Sequence, residues 1–190
     1  MISAPPAEPA RTGRRGGLIV PVPEAEATIA ALPSPCVPIW QLGMPAHITL
    51  LFPFHPLAAL DAAALADLTK LFAGLPALRA SFSSVGQFPD VLYLCPEPRA
   101  WFAELTQELA RRFGLLPYGG LHHDIVPHLT VARHADPDVL AAVGAALLPA
   151  LPIETHIHEV WLMEEEPDGR WHRAATFALA GSAPVSTSNV

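Results

Sequence analysis

The 190-residue sequence predicts an α+β fold: a bilobal, pseudo-two-fold duplication in which two antiparallel sheets with outer helices enclose a central cleft. Three observations lead there. A His-apolar-Thr-apolar string occurs twice, as His47-Ile48-Thr49-Leu50 and as His128-Leu129-Thr130-Val131. Each string lies in a run of aliphatic and β-branched residues, which is strand composition. The elements predicted around the two strings also recur in one order: helix, His-x-Thr strand, helix, strand, strand. The connections before them, 33–46 and 114–127, have equal lengths.

Strand geometry gives the strings a meaning. Residues i and i+2 share a face, so His47 stands beside Thr49 and His128 beside Thr130, while Ile48, Leu50, Leu129 and Val131 face the other way and can be buried. With nine His in the chain, such a string arises by chance roughly a tenth of a time, so the second copy carries the weight. Two copies of the same chemistry imply one shared site.

Taken in order, residues 1–17 are rich in Pro, Ala, Gly and Arg without apolar periodicity and read as a disordered tail. A bilobal domain is expected over 18–180 and a loose Ser/Thr-rich tail over 181–190. Leu18 to Val22 reads as the first strand, with Pro21 marking an edge or end. Pro23, Glu24 and Glu26 suit a helix N-terminus, and Pro33 and Pro35 stop that helix. Trp40 in the following connection either plugs the core or lines a pocket. After the first string, parity places Phe52 with Ile48 and Leu50 in the core; Phe54, past Pro53, lies where the strand can end and is a candidate for stacking a base. Leu57, Leu60, Ala64, Leu68 and Leu71 recur at helical spacing, giving a helix over 57–73 with Asp61, Asp67 and Lys70 outward and Gly74 as terminator.

Two strands, 78–88 and 91–95, flank a Pro89-Asp90 turn. A helix over 99–113 ends at Gly114, with Arg111 and Arg112 complementing its C-terminal dipole. Tyr118-Gly119-Gly120 forms a turn ahead of the second string. Arg133 follows that string, but parity sets it opposite His128 unless a bulge intervenes. A helix over 137–148 and strand-like runs over 153–163 and 170–179 complete the second half.

Bulk properties narrow the function. A chain with 51% hydrophobic residues is long enough to build a sizeable core. A net charge of −7 argues against an extended grip on nucleic acid, which calls for a basic face, though not against a pocket for a nucleotide or an RNA end. The cysteines Cys36 and Cys95 form no disulfide framework and suit a reducing cytoplasm as buried small hydrophobes. No run approaches a membrane-spanning length. His122-His123-Asp124 and His156-x-His158 invite a metal reading, yet neither has the ligand spacing of a structural zinc site.

The paired motifs, with the wider strings Gly43-Met44-Pro45-Ala46-His47-Ile48-Thr49-Leu50-Leu51-Phe52-Pro53-Phe54, Tyr118-Gly119-Gly120 and Val126-Pro127-His128-Leu129-Thr130-Val131-Ala132-Arg133, resemble the two-histidine (2H) phosphoesterase superfamily, in its 2′-5′ RNA ligase-like branch. The resemblance spans roughly residues 18 to 180 and is intact at every His and Thr. It implies His47, Thr49, His128 and Thr130 as catalytic residues and adds Arg133 to Tyr118 and Phe54 as substrate-binding candidates; the enzyme expected is a monomer without metal or other cofactor.

The chemistry fits that implication. Imidazole exists both neutral and protonated near pH 7, so a pair serves as general base and general acid in one turnover. The substrate expected is a 2′,3′-cyclic phosphate on a nucleotide or RNA end, opened by water or, in reverse, joined to a 5′-hydroxyl as a 2′-5′ ligation. Two other readings compete: a nucleotide- or RNA-end-binding module without turnover, and a metal-dependent hydrolase using the remaining histidines.

Overall fold

The computed structural model describes residues 15–32, 42–121 and 124–181. The predicted tails over 1–14 and 182–190, and Cys36, Trp40, His122 and His123, lie outside the described residues. The elements are β1 (Gly16–Pro21), α1 (Glu24–Ala30), β2 (His47–Phe54), α2 (Ala62–Ala73), β3 (Leu78–Phe88), β4 (Val91–Glu97), α3 (Arg99–Phe113), β5 (Leu129–Arg133), α4 (Pro137–Leu147), β6 (Ile153–Ile157), β7 (Glu159–Glu165) and β8 (Trp171–Ala178).

The class is α+β, as expected, but the expected two sheets are one. All eight strands form a single sheet in the order β6-β3-β4-β5-β2-β1-β7-β8, each paired antiparallel with its neighbours. Composition cannot reveal this, because it depends on whether β2 and β5 bond to one another. They do so through one registered pair, Ile48 with Leu129, both fully buried. The seam of the sheet is therefore the two His-x-Thr strands.

Element ends follow local chemistry. β1 starts at Gly16, inside the predicted tail, because it pairs with both β2 and β7. The helix expected over 57–73 starts only at Ala62, since the Asp61 carboxylate caps it by accepting from the Ala64 amide at 2.8 Å; Leu57–Ala59 is a separate 3-10 turn. α3 ends where foreseen, with Gly114 at φ 64°, a left-handed conformation that glycine adopts without a Cβ penalty. The run over 153–163 is two strands rather than one: the chain breaks at His158 and passes from β6, at one end of the sheet order, to β7 near the other.

Burial explains what holds this together. Leu18, Val20, Ile48, Leu51, Leu94 and Leu129 from the central strands are all fully buried, against Leu68 and Phe72 of α2 and Phe102 and Leu109 of α3. The opposite face of the seam carries half-buried polar side chains. A smaller cluster, Ile19, Met44 and Met163 with Trp161 and Trp171 against it, packs on that second face over β1 and β7. Cys95 is buried and unpaired with another cysteine. Among the described residues no helix is long and apolar enough to cross a membrane.

Candidate active site

The seam brings the two motifs together. Antiparallel continuation from the Ile48–Leu129 pair sets Thr49 beside His128 and His47 beside Thr130. With Ile48 and Leu129 fully buried on one face, all four polar residues stand on the other and are half-buried.

Each imidazole is anchored in the same way. The Nδ1–H of His47 donates to the Pro45 carbonyl and the Nδ1–H of His128 donates to the Val126 carbonyl, both at 2.7 Å. A carbonyl only accepts, so these bonds place the proton of the neutral ring on Nδ1 and leave Nε2 on the far edge. The entry to β2 is held in turn: the Val22 amide donates to the Ala46 carbonyl at 2.8 Å and the Ala46 amide to Glu26 of α1 at 3.2 Å. Burial pushes the His47 pKa below the ordinary histidine value; the Pro45 bond opposes this, and the charge of a protonated His128 lowers it further, which places the two rings within electrostatic reach.

His128 has a different wall. Phe88 stands edge-on to it with ring centroids 5.3 Å apart, and Tyr93 lies 5.4 Å away, the two aromatic rings themselves 4.4 Å apart. Neither was foreseen, because the rings reach His128 from β3 and β4. A sequence signal did exist in Gly86: it pairs with Tyr93, and a Cβ there would lie 2.4 Å from the ring, so the absent side chain is what lets Tyr93 lie flat.

Both His-x-Thr strands bulge directly after the threonine. In β2, Ile19 pairs with Thr49 and Leu18 with Leu51, leaving Leu50 extra; in β5, Tyr93 pairs with Thr130 and Leu92 with Ala132, leaving Val131 extra. One extra residue reverses the facing of everything after it. Arg133 therefore lies on the His128 face, satisfying the condition that parity alone could not. Its guanidinium is 3.9 Å from Asp90. Tyr118 joins this group: its hydroxyl is hydrogen-bonded to Thr49 and feels the Arg133 charge, while burial, the largest influence, raises its pKa. Tyr118 holds φ 51°, the sole positive value for a non-glycine among the described residues, a costly conformation of the kind that clusters at functional sites.

The same bulge corrects the two phenylalanines. Phe52, expected in the core, lies on the His47 face, half-buried, edge-on to Trp171 at 6.1 Å and beneath the Arg15 guanidinium at 5.5 Å. Phe54, the base-stacking candidate, is 4% exposed and packs edge-on against Phe113 at 5.0 Å. The strand runs on through Pro53, and a second register shift returns Phe54 to the core. Phe52 and Arg133 thus occupy equivalent places, each five residues beyond its histidine.

Of the other histidines, His156 and His158 have ring centroids 6.4 Å apart at the β6–β7 junction. Among the described residues no group of three or more His, Cys, Asp or Glu side chains is arranged to hold a metal ion.

The chain resembles known proteins both in sequence pattern and in fold. The family model of the 2′-5′ RNA ligase superfamily matches residues 21–169, which contain both His-x-Thr strands. No curated protein matches the sequence. Among solved structures, E. coli LigT in its apo form superposes with a TM-score of 0.57 at 19% identity, covering 88% of this chain and 98% of that one. TT0787 of Thermus thermophilus does so with a TM-score of 0.56 at 22% identity, covering 89% and 100%. LigT has also been solved in complex with 3′-AMP, and that structure superposes with a TM-score of 0.56 at 21% identity over 87% of this chain and 97% of LigT. At these identities the structures establish a shared fold, and the family match, spanning most of the chain, shows that the protein belongs to the 2′-5′ RNA ligase superfamily.

Proposed function

We propose that the protein is a phosphodiesterase that opens 2′,3′-cyclic phosphates on nucleotides or RNA ends by paired acid-base catalysis, needs no metal, and works as a cytoplasmic monomer. The observation that carries this reading is the matched anchoring of two imidazoles on one face of the seam, each through Nδ1 to the carbonyl two residues earlier and each flanked by a threonine hydroxyl. The binding of 3′-AMP by a protein of the same fold is in keeping with it.

In the proposed step, the Nε2 of neutral His47 takes a proton from water as the water oxygen bonds to phosphorus. The bond from phosphorus to one ribose oxygen breaks, and Nε2–H of protonated His128 gives its proton to that oxygen. The product is a phosphate monoester, and exchange with solvent returns both rings to their starting states. Burial supports His47 as the base by favouring its neutral form. His128, held by the Phe88 and Tyr93 rings on the same face, is left as the acid. Thr49 and Thr130 donate to the non-bridging oxygens, Tyr118 orients Thr49, and Arg133 offsets the phosphate charge. Run in reverse with a 5′-hydroxyl, the site would make a 2′-5′ linkage. The equivalent bulges and anchors read as the trace of a duplication about the β2–β5 seam.

The test is turnover. Purified protein incubated with nucleoside 2′,3′-cyclic phosphates in the presence of chelator should release phosphate monoesters, and His47→Ala and His128→Ala should each remove nearly all of that activity. Wild-type rates in both variants would overturn the reading, and loss of wild-type activity on chelation would favour a metal-dependent hydrolase.

A further inference from the structure

The site face does not stop at the His-x-Thr strands. From Thr49 the register runs to Ile19 on β1 and on to Trp161 on β7. From His47 it runs to Pro21, and continuing the β1–β7 pairing by two residues sets Glu159 beside Pro21. Glu159 and Trp161 are therefore the next-but-one neighbours of His47 and Thr49, on the same face, about 10 Å away at the usual strand spacing. That is the reach of a nucleoside whose phosphate sits at the histidines.

The two side chains form one unit. Trp161 Nε1–H donates to Glu159 Oε1 at 2.7 Å, which holds a carboxylate whose second oxygen can accept from another donor. The half-buried Trp161 ring carries the Arg173 guanidinium 4.4 Å from its centroid, so a flat polar group already lies against its face. A pocket opens beside this unit, lined by Pro21, Glu24, Thr155, His158, Glu159 and Trp161. Glu24 in that wall accepts from the Thr155 hydroxyl at 2.8 Å. Two carboxylates repel a second phosphate; they suit a neutral group rich in N–H donors, and the indole suits a flat one.

Building on the phosphodiesterase reading, we infer that Trp161 and Glu159 form a nucleobase subsite: the base of the substrate stacks on Trp161, and the Glu159 carboxylate accepts from N–H groups on its edge. Guanine presents two such donors side by side and uracil one beside two carbonyl acceptors, so guanine is preferred. Arg173 gives up the indole face to the base on binding.

Kinetics on guanosine and uridine 2′,3′-cyclic phosphates and on base-free ribose 2′,3′-cyclic phosphate test this. Trp161→Ala should lower kcat/KM on both nucleoside substrates about tenfold or more, as expected for loss of stacking, leave the base-free substrate unchanged, and be largely rescued in Trp161→Phe. Glu159→Gln keeps the acceptor for Trp161 Nε1–H but exchanges the second oxygen for a donor, and should shift preference from guanosine toward uridine. An equal loss by Trp161→Ala on all three substrates, or an unaltered guanosine-to-uridine ratio in Glu159→Gln, would overturn the subsite. If wild-type protein opens none of the three, the reaction reading fails and the subsite is decided by binding: calorimetric titration with guanosine 3′-monophosphate should be weakened by Trp161→Ala, and unchanged affinity would sink it.

Discussion

Gly86→Ala probes whether the aromatic wall holds the second imidazole in place. The added methyl would sit 2.4 Å from two Tyr93 ring carbons, where ordinary contact starts at 3.4 Å, so the ring must withdraw by about 1 Å. It has little room, with Phe88 at 4.4 Å and His128 at 5.4 Å between centroids. Overpacking of this kind costs about 1–3 kcal/mol, or roughly 2–12 °C in Tm for a chain of this size. If the ring passes its displacement to His128, a shift of about 1 Å in a proton-transfer group costs up to about 10²-fold in rate. Thermal unfolding and kcat/KM on a cyclic nucleotide measure the two effects on one preparation. Gly86→Ala combined with Tyr93→Leu separates them: with the ring gone the clash goes too, so the stability losses should not add, whereas activity should stay low because the wall is missing. A Gly86→Ala protein that melts and turns over like wild type would refute the account, as would strictly additive stability losses in the double variant.

Other outcomes follow from the same geometry. The acid limb of kcat/KM against pH should fall below the ordinary histidine range, because His47 must be neutral and its pKa is depressed; a limb at or above the free-histidine value would contradict His47 as the base. The linkage sign agrees: between the depressed folded pKa and the unfolded value near 6.5 the unfolded chain binds more protons, so stability should rise with pH across that window and level off above it, a trend that His47→Asn should flatten in urea titrations. Phe54→Ala should lose about 3–5 kcal/mol in chemical denaturation, as a buried phenylalanine does, whereas Phe52→Ala, half-buried on the site face, should lose clearly less; the reverse order would contradict the bulge assignment. Arg133→Ala should raise KM for a cyclic phosphate with little effect on Tm, since its contact with Asp90 is long and exposed, and an unchanged KM would remove Arg133 from the phosphate's surroundings.

The boundary between what was legible and what was not falls at the bulges. Period-2 patterning sufficed for most of the strands and for the shared face of each His and Thr, because side-chain alternation is a local property of extended backbone, while only the duplication of the His-x-Thr strings pointed to their convergence. Capping chemistry at Gly114 was equally local. The facing of Phe52, Phe54 and Arg133 was not, since an extra residue on one strand has meaning only against the register of its partner, and β1 and β4 are distant in the chain.

The amino-acid sequence by itself thus determined the α+β class, the four polar residues of the seam and the family to which they point. Tertiary structure alone decided that eight strands join in one sheet, that Phe88 and Tyr93 wall one histidine while burial depresses the other, and that Trp161 and Glu159 continue the site face. The physical reason is the same in each case. Hydrogen-bond register and burial are relations between segments far apart along the chain, and no stretch of residues carries them alone.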